Sequence, residues 1–164
     1  MSLREADPTA WLIACEQIRQ LASRYAVAMG SHDVDALAEL FVPDVRVGQS
    51  RTGSDALRQD LTRQLAPLGR TILHVTNHVI DVQDHGHASG VVGTRAELEI
   101  GGDWIIQMIQ YDDTYEQRGS DWLFVRRVHR LWYGMKSESS PLGLPPANWP
   151  ENAVGMGNLP SPST

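Results

Sequence analysis

Four segments in the second half of the chain, 71–82, 87–99, 103–116 and 121–133, share a strand-like composition. Val, Ile, Thr, Trp and Tyr are frequent in them, and polar and apolar residues partly alternate. The connections are Asp84-His85-Gly86, Gly101-Gly102 and Arg118-Gly119-Ser120. They are too short to hold a crossover helix, so consecutive segments must pair as antiparallel hairpins. A parallel α/β fold is thereby excluded, and the second half is expected to form an antiparallel meander.

The first half has a different period. Asp7-Pro8 supplies a side-chain acceptor followed by a residue with no amide hydrogen, a good helix opening. Trp11, Cys15, Ile18, Ala22, Tyr25 and Met29 then recur at intervals of three and four, one apolar stripe on a long helix that Gly30 is expected to stop. Asp33 caps a second helix through Ala36, Leu37 and Leu40, which Pro43 closes. A short strand at 45–47 follows, then a third helix opening near Ser54-Asp55 with Leu57, Leu61 and Leu65 on one face. Helices first and a meander afterwards predict an α+β domain, three N-terminal helices packed on one face of a strongly curved antiparallel sheet.

The 164 residues suit one domain of this kind. Twenty acidic and fourteen basic residues give a formal charge of -6, which does not favour a phosphate backbone, and no nucleic-acid partner is expected. Arg126, Arg127 and Arg130 are too few, and too evenly split between strand faces, to form a binding stripe. The N-terminus carries two early acids and no apolar run of signal-peptide length, so a cytoplasmic protein without membrane attachment is expected. Cys15 lies in the helical stripe as a buried, inert thiol. Asp84-His85-Gly86-His87 sits at a hairpin tip with no defined third ligand, and no metal site is expected.

Both faces of the sheet look partly apolar: Ile105 and Ile109 point one way, Ile106 and Met108 the other. Helices cover one face only, so a homodimer is expected to cover the other.

The order of elements resembles a known family. The helix ending around Tyr25, the Asp33-Val34-Asp35-Ala36-Leu37 turn and helix, Leu40-Phe41-Val42-Pro43-Asp44, the Thr76-Asn77 strand and the Tyr111…Asp113…Tyr115…Trp122…Arg127 pattern are similar to the SnoaL-like group of the nuclear-transport-factor-2-like superfamily. The resemblance, over roughly 8–133, implies an α+β cone, usually dimeric, with a pocket inside. It also implies a cofactor-independent dehydratase-like lyase or isomerase acting on a small cyclic, largely apolar substrate. Non-catalytic small-molecule binding, an assembly role like that of dioxygenase small subunits, and a polyketide cyclase using other pocket residues are the alternatives.

The dehydratase-like members pair an aspartate at the end of the first helix with a histidine on the first long strand. Imidazole titrates near neutrality and can take a proton; the carboxylate fixes its tautomer. Here the aspartate position is Gly30. The histidine position, four residues before Asn77, is Leu73, with His74 next to it. In a regular strand His74 faces away from the pocket with Thr76, His78 and Ile80, and a bulge would alter that parity. The expected catalytic set is His74 as base, with Asp113 and Tyr25 assisting. Asn77, Tyr111 and Trp104 are expected to bind substrate. Asp113 shares strand parity with Tyr111 and Tyr115, and either Arg127 or Arg95 could pair with it.

Six of the nine prolines fall after residue 134. Residues 1–133 are therefore expected to form the cone and 134–164 a Pro/Gly-rich extension. Leu142, Leu144, Trp149, Val154, Met156 and Leu159 give that extension enough apolar anchors for an arm or lid.

Overall fold

The computed structural model describes residues 3–147 and 154–155. A one-turn helix α1 (Leu3–Ala6) precedes the long α2 (Pro8–Ser31), followed by α3 (Val34–Glu39), the two-residue strands β1 (Arg46–Val47) and β2 (Arg51–Thr52), and α4 (Ser54–Leu65). Four long strands complete the chain: β3 (Leu68–Val82), β4 (His87–Ile100), β5 (Asp103–Arg118) and β6 (Asp121–Lys136). They pair in sequence order as an antiparallel meander.

The helix caps follow the sequence. Asp7 accepts from the Ala10 amide and Asp33 from the Ala36 amide, each at 2.9 Å, satisfying donors that a first turn leaves open. The end of α2 differs from expectation. Gly30 lies inside the helix, and His32 takes the left-handed conformation (φ 54°) while its amide bonds the Ala28 and Met29 carbonyls. Gly30 serves close approach instead: a Cβ there would lie 3.2 Å from the Thr71 carbonyl of β3.

The α2 stripe buries Cys15, Ile18 and Ala22 against the sheet, and α2 crosses both β3 and β6. The segment after α3 is stitched to β6, where the Val42 amide donates to the Phe124 carbonyl and the Phe124 amide to the Leu40 carbonyl, both at 2.9 Å. The helices, Phe41, Tyr115, Trp122 and Phe124 form one core; Ala22, Val92, Ala96, Leu98, Ile109 and Tyr111 form a second along the same inner face.

Bulges break the sheet's alternation, bending strands and turning side chains. In β3, Val75 pairs with Thr94 and His78 with Val92, so β3 carries one extra residue there. In β6, Arg126 pairs with Thr114 and Phe124 with Tyr115, which leaves Val125 as the extra residue. Gly93 makes room for the first bulge: a Cβ on it would overlap Asn77 Oδ1 and lie 2.9 Å from Thr76 Oγ1.

β6 runs to Lys136 and so takes in the first three residues of the expected extension. A short 3₁₀ turn, Pro141–Gly143, follows. Leu142 is half-buried, and Leu144 and Val154 are exposed; Trp149, Met156 and Leu159 lie outside the described residues. No helix among the described residues is long and apolar enough to cross a membrane.

Candidate functional site

Each bulge shifts strand parity by one and thereby selects which side chain enters the cone. Phe124 and Arg127 would face opposite ways on a regular strand. The extra Val125 puts both on the inner face, with Arg127 directly across from Asp113. The β3 bulge acts likewise. Leu73 pairs with the buried Ala96 and His74 with the outward Arg95, but beyond the bulge His78 pairs with the buried Val92. The inward histidine of β3 is therefore His78; His74, expected as the base, faces outward, because the extra residue falls after position 74.

At the centre Arg127 donates twice to Asp113, from Nε to Oδ1 at 2.9 Å and from Nη2 to Oδ2 at 2.7 Å. The side chains are 5% and 0% exposed. The Arg127 guanidinium lies 4.3 Å from the Tyr111 and Phe124 ring centroids and 4.4 Å from that of Tyr25. Aromatic faces and a bidentate carboxylate together replace the water that this cation loses on burial. Burial works against the charge, yet the bonds and charge of Asp113 outweigh it and hold Arg127 above its ordinary pKa. Of the two arginines that could pair with Asp113, register selects Arg127; Arg95 bonds Glu97 on the outer face at 3.2 Å.

A chain of hydrogen bonds leads outward from this pair. The Tyr115 hydroxyl donates to Asp113 Oδ2 at 2.9 Å and lies 3.1 Å from His78 Nε2. Since that hydroxyl's proton goes to the carboxylate, its oxygen accepts from His78 Nε2–H. His78 is thereby fixed as the Nε2–H tautomer, with the Nδ1 lone pair free. Nδ1 is buried and has no partner. Burial lowers the His78 pKa to about 4; Asp113 opposes the shift, and Arg127 and Arg19 add to it. The imidazole is neutral at pH 7. Gly90 allows the chain to form, since a Cβ there would lie 3.2 Å from the Tyr115 hydroxyl and 2.9 Å from the Val79 carbonyl.

Burial also raises the pKa of Tyr25, Tyr111 and Tyr115, so all three are neutral phenols at pH 7. His129, opposite Tyr111, meets that ring edge-on at 5.6 Å between centroids. Thr94 is also inward on β4; it is 1% exposed and its Oγ1 has no partner.

The structure thus gathers Asp113, Tyr25 and Tyr111 around Arg127 and leaves the other expected site residues outside. The side chain of His74 is 54% exposed, its Nε2 3.9 Å from Glu97 Oε1. Trp104 is buried on that same outer face, donating from Nε1 to Glu97 Oε2 at 2.9 Å. Asn77 forms part of the bulge, its Oδ1 accepting from Thr76 Oγ1 at 2.9 Å. Sequence reasoning missed His78, Thr94 and His129. The signal that could have found His78 is Gly93, a glycine opposite Thr76-Asn77 that leaves room for a bulge.

A surface groove of about 740 Å³ runs along α2 and α3, past Glu16, Arg24, Asp33, Glu39 and Asp121. Neither the Asp113–Tyr115–His78 chain nor Arg127 lines it, so the candidate site is defined by chemistry and not by this groove. A second groove, about 500 Å³, lies on the outer sheet face beside Val91, Met108, Trp132 and Tyr133.

Helices packed on an antiparallel meander, with polar side chains converging inside, define a nuclear-transport-factor-2-like α+β fold. The SnoaL-like domain model matches residues 12–128, and the chain belongs to this SnoaL-like family. No curated protein matches the sequence. Among solved structures, a candidate scytalone dehydratase from Novosphingobium aromaticivorans is 23% identical with a TM-score of 0.69, covering 80% of this chain and 92% of that one. The hexachlorocyclohexane dehydrochlorinase LinA-type3 from Novosphingobium barchaimii LL02 is 17% identical with a TM-score of 0.72, covering 82% and 97%. A candidate aromatic ring hydroxylase from Novosphingobium aromaticivorans is 18% identical with a TM-score of 0.64, covering 73% and 90%.

Proposed function

We propose that this protein is a cofactor-independent lyase or isomerase that moves a proton on a small, uncharged, cyclic substrate held inside the cone, with His78 as the proton acceptor. The observation that carries this reading is the buried chain Asp113–Tyr115–His78, which ends in an unpartnered Nδ1 lone pair. A proton taken at Nδ1 makes an imidazolium. Its Nε2–H is already bonded to Tyr115, and the Asp113 carboxylate stands one hydroxyl behind. This arrangement does the work of a histidine–carboxylate dyad, with a phenol between its members. It also supplies the carboxylate that Gly30 does not. Tyr25 and Tyr111 keep their protons and line the site as neutral donors.

The low pKa of His78 limits the chemistry. A base near pKa 4 is unprotonated at pH 7 but weak, so it suits protons already acidified by a neighbouring carbonyl or a good leaving group. The same weakness favours a second reading, a non-catalytic ligand-binding or assembly subunit in which the polar chain only orients its ligand. Deuterium exchange separates the two. A set of cyclic ketones incubated with the protein in D₂O should gain deuterium next to the carbonyl, and His78→Ala should lose that exchange. Exchange no faster than in buffer, or exchange retained in His78→Ala, would support the second reading.

The homodimer belongs to the same proposal. Val79, Val91, Trp132, Tyr133 and Met135 are exposed, and several of them line the outer-face groove; a second copy is the simplest cover. The chain beyond Lys136 is proposed to act as an arm or lid on this assembly.

A further inference from the structure

Two buried polar atoms inside the cone lack a partner, His78 Nδ1 and Thr94 Oγ1. Buried polar groups are nearly always bonded, and each exception requires an explanation. These two share one face of one strand pair: His78 pairs with Val92, and Thr94 lies two residues along β4 from Val92. Such diagonal neighbours are about 7–8 Å apart at the backbone, close enough for both side chains to reach one small ligand.

Their chemistry is complementary. His78 Nδ1 can only accept, because the tautomer is fixed by Tyr115 at the other nitrogen. Thr94 Oγ1 can donate or accept. A ligand hydroxyl matches both, donating its proton to Nδ1 and receiving the Thr94 proton on its oxygen. Around them lie Leu73, Val92, Ile109 and Tyr111, an apolar surround. The buried cation beside them, Arg127, is already bonded twice to Asp113, so a carboxylate or phosphate would have to displace that carboxylate to pair with it.

We infer that Thr94 and His78 form a binding site for the hydroxyl group of an uncharged alcohol or phenol, with Thr94 as its specificity-determining residue. The inference rests on the reading that the cone takes a small uncharged ligand, and it holds whether or not the ligand is turned over.

The test is an NMR titration of the full chain with phenol, anisole and benzoate, following the His78 ring signals. Phenol should shift them saturably. Anisole lacks the donor and should bind about tenfold more weakly, as should phenol to Thr94→Val. Thr94→Ser should restore phenol binding, and benzoate should not compete. Because Val matches Thr in shape, the melting temperature of Thr94→Val reports whether the fold is intact. Equal binding of phenol and anisole, preference for benzoate, unchanged phenol affinity in folded Thr94→Val, or no shift at His78 would each overturn the inference. Phenol binding as described, in a protein inert in the deuterium assay, would support this site and overturn the lyase reading.

Discussion

His78 and Tyr115 meet at 3.1 Å between Nε2 and the phenol oxygen, and that contact decides what the imidazole can do. With the Tyr115 proton committed to Asp113, His78 keeps its own proton on Nε2 and leaves Nδ1 buried without a partner. Three strands cooperate in this, β3 through its bulge, β4 through Gly90 and β5 through the alternation of Asp113 and Tyr115.

The Asp113–Arg127 pair should be costly to break and cheap to replace. Removing one member of a buried pair leaves an uncompensated charge, so Arg127→Met is expected to lose about 3–5 kcal/mol in urea unfolding. The double variant Arg127→Met with Asp113→Leu should recover most of that loss. Recovery distinguishes a desolvated charge from lost packing.

Stability should fall with acid through His78. Its pKa is depressed in the folded chain, to about 4 from an ordinary 6.5. The unfolded chain therefore binds the proton first as pH drops. The contribution is present in full above pH 6.5 and is lost as pH falls from there to about 4. Melting curves across that window should decline less steeply for His78→Gln than for the parent.

Gly93 leaves room for the Asn77 and Thr76 side chains that the β3 bulge brings over it. Both are exposed and can turn aside, so Gly93→Val is expected to change stability in urea unfolding by less than about 1 kcal/mol. The bulge then persists, and the pKa of His78 should stay near 4, measured by NMR.

The outer sheet face should hold the second copy. Trp132 is 73% exposed at the extra residue of a further β6 irregularity, where Tyr133 pairs with Met108 and Leu131 with Ile109. Trp132→Asp should shift the mass in light scattering from dimer to monomer while leaving the far-ultraviolet circular dichroism unchanged.

Much of the architecture was legible in the sequence because it depends on local signals. Asp7-Pro8 and Asp33 marked helix starts through capping chemistry, and the short Gly-containing connections forced the meander. The family pattern placed Asp113 between Tyr111 and Tyr115 on one strand face, where it lies. The end of α2 was misread because a helix tolerates Gly30 when a close strand needs the space, and the turn falls to His32 instead. The facing of residues beyond a bulge was not legible. Parity carried along β3 placed His74 and His78 on one face, whereas one extra residue separates them in the structure. The sequence offered both Arg127 and Arg95 as partners for Asp113, and in β6 the extra residue at Val125 decides for Arg127 by turning it to the face of Phe124. A bulge arises from pairing between strands, and a single strand's alternation does not record it.

The most direct test of the account is long-range ¹H–¹⁵N correlation of the histidine rings from pH 8 down to pH 4. One of the six histidines, assigned by its absence in His78→Gln, should be a fixed Nε2–H tautomer with an unprotonated Nδ1 that stays neutral until about pH 4. A His78 signal that is Nδ1-protonated, or that titrates near 6.5, would contradict it.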